Sequence, residues 1–248
     1  LLRERGRYPG LWRAYQWVMA EGEYAEALAA LRARLEDPLP NPLPGGEGTR
    51  GPLPEGEGTR SRIHAKTGIE LIRIPAGPFR YGSADSDKMA FDNEKPQRTV
   101  DLPEYWIGRA PVTNAQYKRF LDANPGLRVP FAQADWATPY NWDEQRRVYP
   151  AGKADHPVVL VSWDDARAFC DWAGLALPTD EQWEKAARGT DGSIWPWGNE
   201  PPTAERCNFN DNVGGTTPVG QYSPRGDSPY GCVDMAGNVW EWTGSWYS

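Results

Sequence analysis

The sequence predicts an α+β domain, and three observations carry that expectation. Short runs rich in Ile, Val, Tyr and Trp between positions 69 and 108 read as β-strands punctuated by Pro and Gly. Three later segments each open on a hydroxyl residue with a side-chain acceptor three positions on, the spacing of a helix capping box. Two long stretches, 125–157 and from 193 onward, are aromatic yet lack either helical or strand periodicity, as long ordered loops do.

Before that domain, residues 1–35 carry a helical pattern. Tyr24, Leu28, Leu31 and Leu35 recur at intervals of three and four with Ala between them, and Gly22 separates two helices. This segment reads as the end of an upstream helical domain. Residues 36–67 follow as a linker: Pro-Leu-Pro-Gly-Gly-Glu-Gly-Thr-Arg at 42–50 nearly repeats at 52–60, and proline and glycine at that density prevent a packed element.

The globular domain is expected from Gly68 to residue 248. Residues 69–74 form its first strand, Pro75-Ala76-Gly77 turns the chain, and 79–82 return as the hairpin partner. Residues 99–102 and 105–108 add short strands to the same sheet, with a charged surface loop at 85–98 between.

The helices come next. Thr113 with Gln116, Ser162 with Asp165 and Thr179 with Gln182 mark the three starts, each cap contributing roughly 0.5 to 2 kcal/mol. Gly174 and Gly189 stand where a left-handed residue would close the second and third. Tyr117, Phe120 and Leu121 face the core on the first helix, as do Ala166, Phe169, Cys170 and Ala173 on the second. Cys170 therefore reads as packing rather than as a nucleophile. Between the first two helices, Trp136, Tyr140, Trp142 and Tyr149 give residues 125–157 enough apolar area for an ordered lobe.

Composition bounds the partners. A formal net charge of -7 over 248 residues argues against nucleic acid or an anionic membrane surface. No apolar run approaches the ~20 residues of a membrane span, and a cytoplasmic compartment is the default expectation. Cys170, Cys207 and Cys232 are an odd number at wide, unequal spacings, which matches neither a disulfide framework nor a zinc motif. The chain begins with Leu and stops just past a Trp-Glu-Trp segment, so a piece of a longer protein is expected.

Two stretches carry chemistry. In Gly231 to Trp242, an extended backbone would place Val239 and Glu241 on one side and Trp240 and Trp242 on the other, with a Gly237-Asn238 turn presenting oxygens inward. A carboxylate held so near two indoles needs a partner for its charge, and a hard cation is one. In Cys207 to Gly215, three Asn and one Asp supply the oxygen-rich loop that calcium takes. An Asx-rich turn without an ion has the same composition.

Asp234-Met-Ala-Gly-Asn-Val-Trp-Glu-Trp-Thr243 resembles the signature of the formylglycine-generating enzyme family, also called sulfatase-modifying factors. Four upstream segments resemble the same family in the same order: Ile74 to Phe79, Pro111 to Tyr117, Val159 to Ala166 and Leu177 to Glu184. The resemblance implies a C-type-lectin-like fold of the formylglycine-generating type, with short antiparallel strands, a few helices and long ordered loops. It also implies two structural calcium sites. The first would use the Asn208 amide oxygen, the Phe209 carbonyl, the Asp211 carboxylate and the Val213 carbonyl; the second would use Asp234, the Gly237 and Val239 carbonyls, and Glu241.

Complete members of the family oxidise a protein cysteine to formylglycine, using copper(I) on a cysteine pair downstream of the signature, after an Arg-Gly-Gly-Ser-Trp strand. That region is absent from these 248 residues, so no catalytic residue is assigned, and copper is expected only with such a downstream pair. A related branch holds iron on three histidines, whereas this chain has only His64 and His156. The resemblance thus leaves two expectations: a member of the oxidase family acting on a protein or peptide, or a non-catalytic ligand-binding module on the same fold, such as a diversified variable protein.

Overall fold

The computed structural model describes residues 61–87, 90 and 94–245. The readings for residues 1–35, and for 36–60 of the linker, lie outside the described residues.

Among the described residues, five strands make two small antiparallel sheets. β1 (Ser61–Ile63), β2 (Glu70–Ile74) and β5 (Tyr105–Gly108) form one in the order β1-β2-β5, while β3 (Gly77–Tyr81) and β4 (Arg98–Leu102) form the other. Two sequence expectations change here. β1 falls inside the stretch read as linker, so the ordered domain begins by Ser61 rather than at Gly68. Three residues are too few to show alternation, and Ile63 is exposed; the strand exists because β2 offers an edge, with Arg62 stacked on Trp106 across it at 4.2 Å.

The second correction concerns the expected hairpin. β3 does not return along β2; it pairs with β4, and β2 takes β5 instead, with Ile72 opposite Ile107 and Ile74 opposite Tyr105. The corner explains why. The Lys185 ammonium, itself 1% exposed, donates to the Pro75 carbonyl at 2.8 Å and the Gly77 carbonyl at 2.7 Å. Gly77, at φ 126°, turns the chain through a conformation that a Cβ would strain.

β2 organises the core because its two faces feed different clusters. Ile69 and Leu71 point to one that includes Tyr117, Phe120, Trp142 and Phe169; Ile72 and Ile74 point to another with Trp183, Ala186, Cys232 and Met235.

The three predicted helices are present: α1 (Asn114–Ala123), α2 (Trp163–Ala173) and α3 (Asp180–Arg188). All three capping boxes close in both directions. At α3, for example, Gln182 N–H donates to Thr179 Oγ1 at 3.2 Å and Thr179 N–H donates to Gln182 Oε1 at 2.9 Å. Gly174 closes α2 in the left-handed region (φ 74°, ψ 31°), as expected. Gly189 ends α3 at ψ -144°, outside that region, where an added Cβ would meet the Pro229 ring at 3.0 Å.

α3 is buried from Trp183 to Arg188, including three charged residues. Each is answered locally. Glu184 accepts from Arg188 and from Gly82 N–H, and Arg188 donates onward to the carbonyls of Gly82, Gly192 and Ser193. Such groups are tolerated inside only when paired.

The aromatic lobe at 125–157 is keyed to α1 by one side chain. Asn114 accepts from the Trp142 indole at 3.1 Å and donates to the Lys153 carbonyl at 2.8 Å, and Trp142 packs edge-on against Tyr149. Among the described residues, no helix is long and apolar enough to cross a membrane.

Candidate functional site

The two oxygen-rich loops come together in space through Asn238, which is not itself a candidate ligand. Asn238 is 1% exposed; its Oδ1 accepts from Thr217 N–H at 2.9 Å, and its Nδ2 donates to the Thr217 carbonyl at 3.2 Å. Its own N–H donates to the Asn208 carbonyl at 2.9 Å. The Gly-Asn turn therefore spends its amide on clasping the other loop. Sequence reasoning did not find this clasp, because its partner lies 21 positions away.

The 234–242 segment is a chain of turns rather than an extended strand. Asp234, Gly237 and Asn238 all have positive φ (54°, 82° and 65°), and these turns come before Val239 to Trp242. Trp240, Glu241 and Trp242 all contribute to the lining of one cavity of about 310 Å³, together with β5, α2 and Met235. One contact at this end was not anticipated: Trp183 Nε1 donates to Glu241 Oε2 at 3.4 Å.

Asp234 and Glu241 are a pair of acids withdrawn from water. Burial pushes the Asp234 carboxyl up to about 6, against a hydrogen bond accepted from Gly220 N–H at 2.6 Å. Burial pushes Glu241 up to about 7, with the Trp183 indole opposing and the charge of Asp234 adding. Among the described residues, no basic side chain forms an ion pair with either. An arginine partner for Glu241, the plainest alternative to a cation, is thus not among them. Two buried carboxylates, with carbonyls at Gly237 and Val239 in the turns between, are chemically suited to a hard divalent cation.

In the other loop the telling atom is Asn208 Oδ1. Asn208 is fully buried, its Nδ2 donates to the Gly215 carbonyl at 2.8 Å, and its Oδ1 has no hydrogen-bond partner. A buried amide oxygen left alone costs about 1–3 kcal/mol. Phe209 and Asn212 close a tight turn, the Asn212 N–H reaching the Phe209 carbonyl at 3.1 Å, and Asn210 and Asp211 hold left-handed φ values of 50° and 58°. Asp211 and Val213 lie at the exposed mouth. Buried amide oxygen, backbone carbonyl and solvent-exposed carboxylate are the donor types calcium takes. Among the described residues no three His, Cys, Asp or Glu side chains cluster, so any cation here relies on amide and carbonyl oxygens as well.

The cysteines do not make a metal pair. Cys170, Cys207 and Cys232 are free thiols, each packed in a different apolar cluster: Cys170 beside Phe169, Cys207 with Trp195, and Cys232 with Ile74. Burial pushes Cys170 up to about 11 and the other two up to about 12. They do not fit a copper dithiolate. His64 and His156 bond to Thr67 and Thr216 respectively, in separate places.

Comparison with known proteins bears on the family and the fold. Residues 59–248 match the family described as sulfatase-modifying factor enzyme 1-like domain. The formylglycine-generating enzyme of Thermomonospora curvata is 37% identical, over 72% of this chain and 72% of that protein. A hercynine oxygenase of Mycolicibacterium smegmatis is 34% identical, over 70% of this chain but only 45% of that longer protein. Among solved structures, PvdO from Pseudomonas aeruginosa superposes with a TM-score of 0.61 at 25% identity, covering 74% of this chain and 73% of its own.

Proposed function

The chain belongs to the sulfatase-modifying factor family, and from that premise we propose that it is the calcium-supported core of an oxidase acting on a cysteine of a protein or peptide. The relatives named formylglycine-generating enzyme support the reaction class. One observation carries the cation: the Asn208 Oδ1, buried without a hydrogen-bond partner in a loop that also supplies carbonyls and the Asp211 carboxylate. Asn208, Phe209, Asp211 and Val213 would hold one ion, and Asp234, Gly237, Val239 and Glu241 a second. Bound there, calcium supplies positive charge that neutralises buried carboxylates and fixes the two clasped loops.

A second reading is favoured by the cysteines. Three thiols in three separate clusters give this chain no copper pair of its own, as a non-catalytic ligand-binding module would have none. Two measurements test these readings. Terbium, titrated as a calcium probe with tryptophan excitation, should bind and lose one site in Asn208→Ala; no saturable binding overturns the cation reading. Incubation of the full-length protein, with whatever sequence follows residue 248, with copper(I), oxygen and a cysteine peptide, followed by mass spectrometry, decides the chemistry. Formylglycine in the product supports the oxidase, whereas saturable terbium binding with an unmodified peptide favours the binding module.

A further inference from the structure

The loop that carries Asn208 is oriented from outside itself. Asn208 Nδ2 donates to the Gly215 carbonyl at 2.8 Å. A carbonyl accepts only from the NH2 end of an amide, so this bond fixes the side chain's orientation and leaves Oδ1, buried without a hydrogen-bond partner, as the end turned to a ligand. The place of residue 215 therefore decides where Oδ1 points.

Tyr140, from the aromatic lobe, sets that place. It is hydrogen-bonded to the Thr216 backbone, and a Cβ on Gly215 would lie 3.1 Å from the Tyr140 hydroxyl. The φ of Gly215 is not positive, so glycine serves the close approach here rather than a turn. The tyrosine has a rigid mount. Its neighbour Asn141 exchanges hydrogen bonds of 2.9 and 3.0 Å with the Ala132 backbone, and Trp142, 2% exposed, donates its N–H to the Pro130 carbonyl at 3.0 Å. The Asp211 carboxylate is near enough for its charge to act on the same hydroxyl, so Tyr140 stands beside a second of the loop's oxygen donors.

We propose that Tyr140 is a positioning residue for a cation held at Asn208: its hydroxyl places Gly215 and Thr216, and Gly215 holds the Asn208 amide with Oδ1 toward the ion. The inference rests on the cation reading given above and adds to it a residue that is not a ligand. Groups that orient metal ligands in this way typically govern affinity by about 10- to 100-fold.

Terbium titrations test it, with Asn208→Ala marking which site is which. Tyr140→Phe keeps the ring and loses the hydroxyl; it should weaken the site that Asn208→Ala removes by about tenfold and leave the other unchanged. The rise in melting temperature that calcium gives over chelator should shrink with it, a difference from which general destabilisation cancels. Gly215→Ala should weaken the same site, and in the double variant the loss should not exceed that of Tyr140→Phe alone, because the added Cβ then meets no hydroxyl. Wild-type affinity of Tyr140→Phe at that site, equal weakening of both sites, or losses that multiply in the double variant overturn the positioning role while leaving the cation reading intact. No saturable terbium binding in the wild type overturns both. Should Tyr140→Phe fail to fold, wild-type affinity in Gly215→Ala overturns the role by itself.

Discussion

Asn238 and Thr217 are bound to each other twice, amide against peptide, at 2.9 and 3.2 Å in a fully dry setting. This pair joins the loop carrying Asn208 to the one carrying Glu241. Removing the amide would strand both a peptide N–H and a carbonyl.

Asn238→Ala should therefore destabilise the domain by about 2–6 kcal/mol, one to three for each orphaned group. Asn238 also sits at φ 65°, which alanine resists. Asn238→Gly relieves the backbone and should recover part of the loss. Urea unfolding of the three proteins measures both terms; equal stability of alanine and glycine variants would remove the conformational one.

Calcium should raise the melting temperature by mass action, ~2.7 kcal/mol for each site at a hundredfold excess over its dissociation constant. A chelator should reverse the gain. Melting curves unchanged by calcium and chelator alike would sink the idea of an exchangeable ion.

Glu241→Gln should change sign with conditions. With calcium it removes a ligand and lowers stability. In chelator at pH 8 it removes a buried charge and should raise stability above wild type, because the carboxyl is pushed up to about 7 by burial. A variant less stable in both media would mean that Glu241 ionises against some other partner.

The pH dependence follows from the same two acids. Asp234 and Glu241 have folded pKa values raised to about 6 and about 7, above their ordinary carboxyl values. The folded state then binds more protons, so their contribution to stability is fully present at low pH and is lost as pH rises through 6 and 7. In chelator, wild type should lose stability from pH 5 to 8 relative to an Asp234→Asn, Glu241→Gln variant. Calcium should flatten that difference, which melting scans at four or five pH values would show.

Thiol chemistry offers an independent check on burial. Cys207 and Cys232 are 1% and 0% exposed with thiols pushed up to about 12, so an aromatic disulfide reagent should modify them only on unfolding. Half-buried Cys170 should react first. Rapid modification of two thiols in the native protein would contradict the packing described above.

The sequence by itself determined what is local. Thr113, Ser162 and Thr179 announced their helices because a capping box closes over three residues, and Gly174 announced its left-handed stop because only its own φ is at issue. The oxygen-rich composition of 207–215 and the acids at Asp234 and Glu241 were legible for the same reason. Strand pairing was decided by tertiary contact: Lys185, 110 positions from Pro75, takes the corner carbonyls, and β3 goes to β4. The turns at Asp234, Gly237 and Asn238 were likewise not legible in the sequence, and Trp240, Glu241 and Trp242 contribute to the lining of one cavity with β5 and α2. Whether a polar atom has a partner depends on what lies beyond the next turn of chain. That is why Asn208 could be nominated from sequence, while its buried, unanswered oxygen appeared only in the fold.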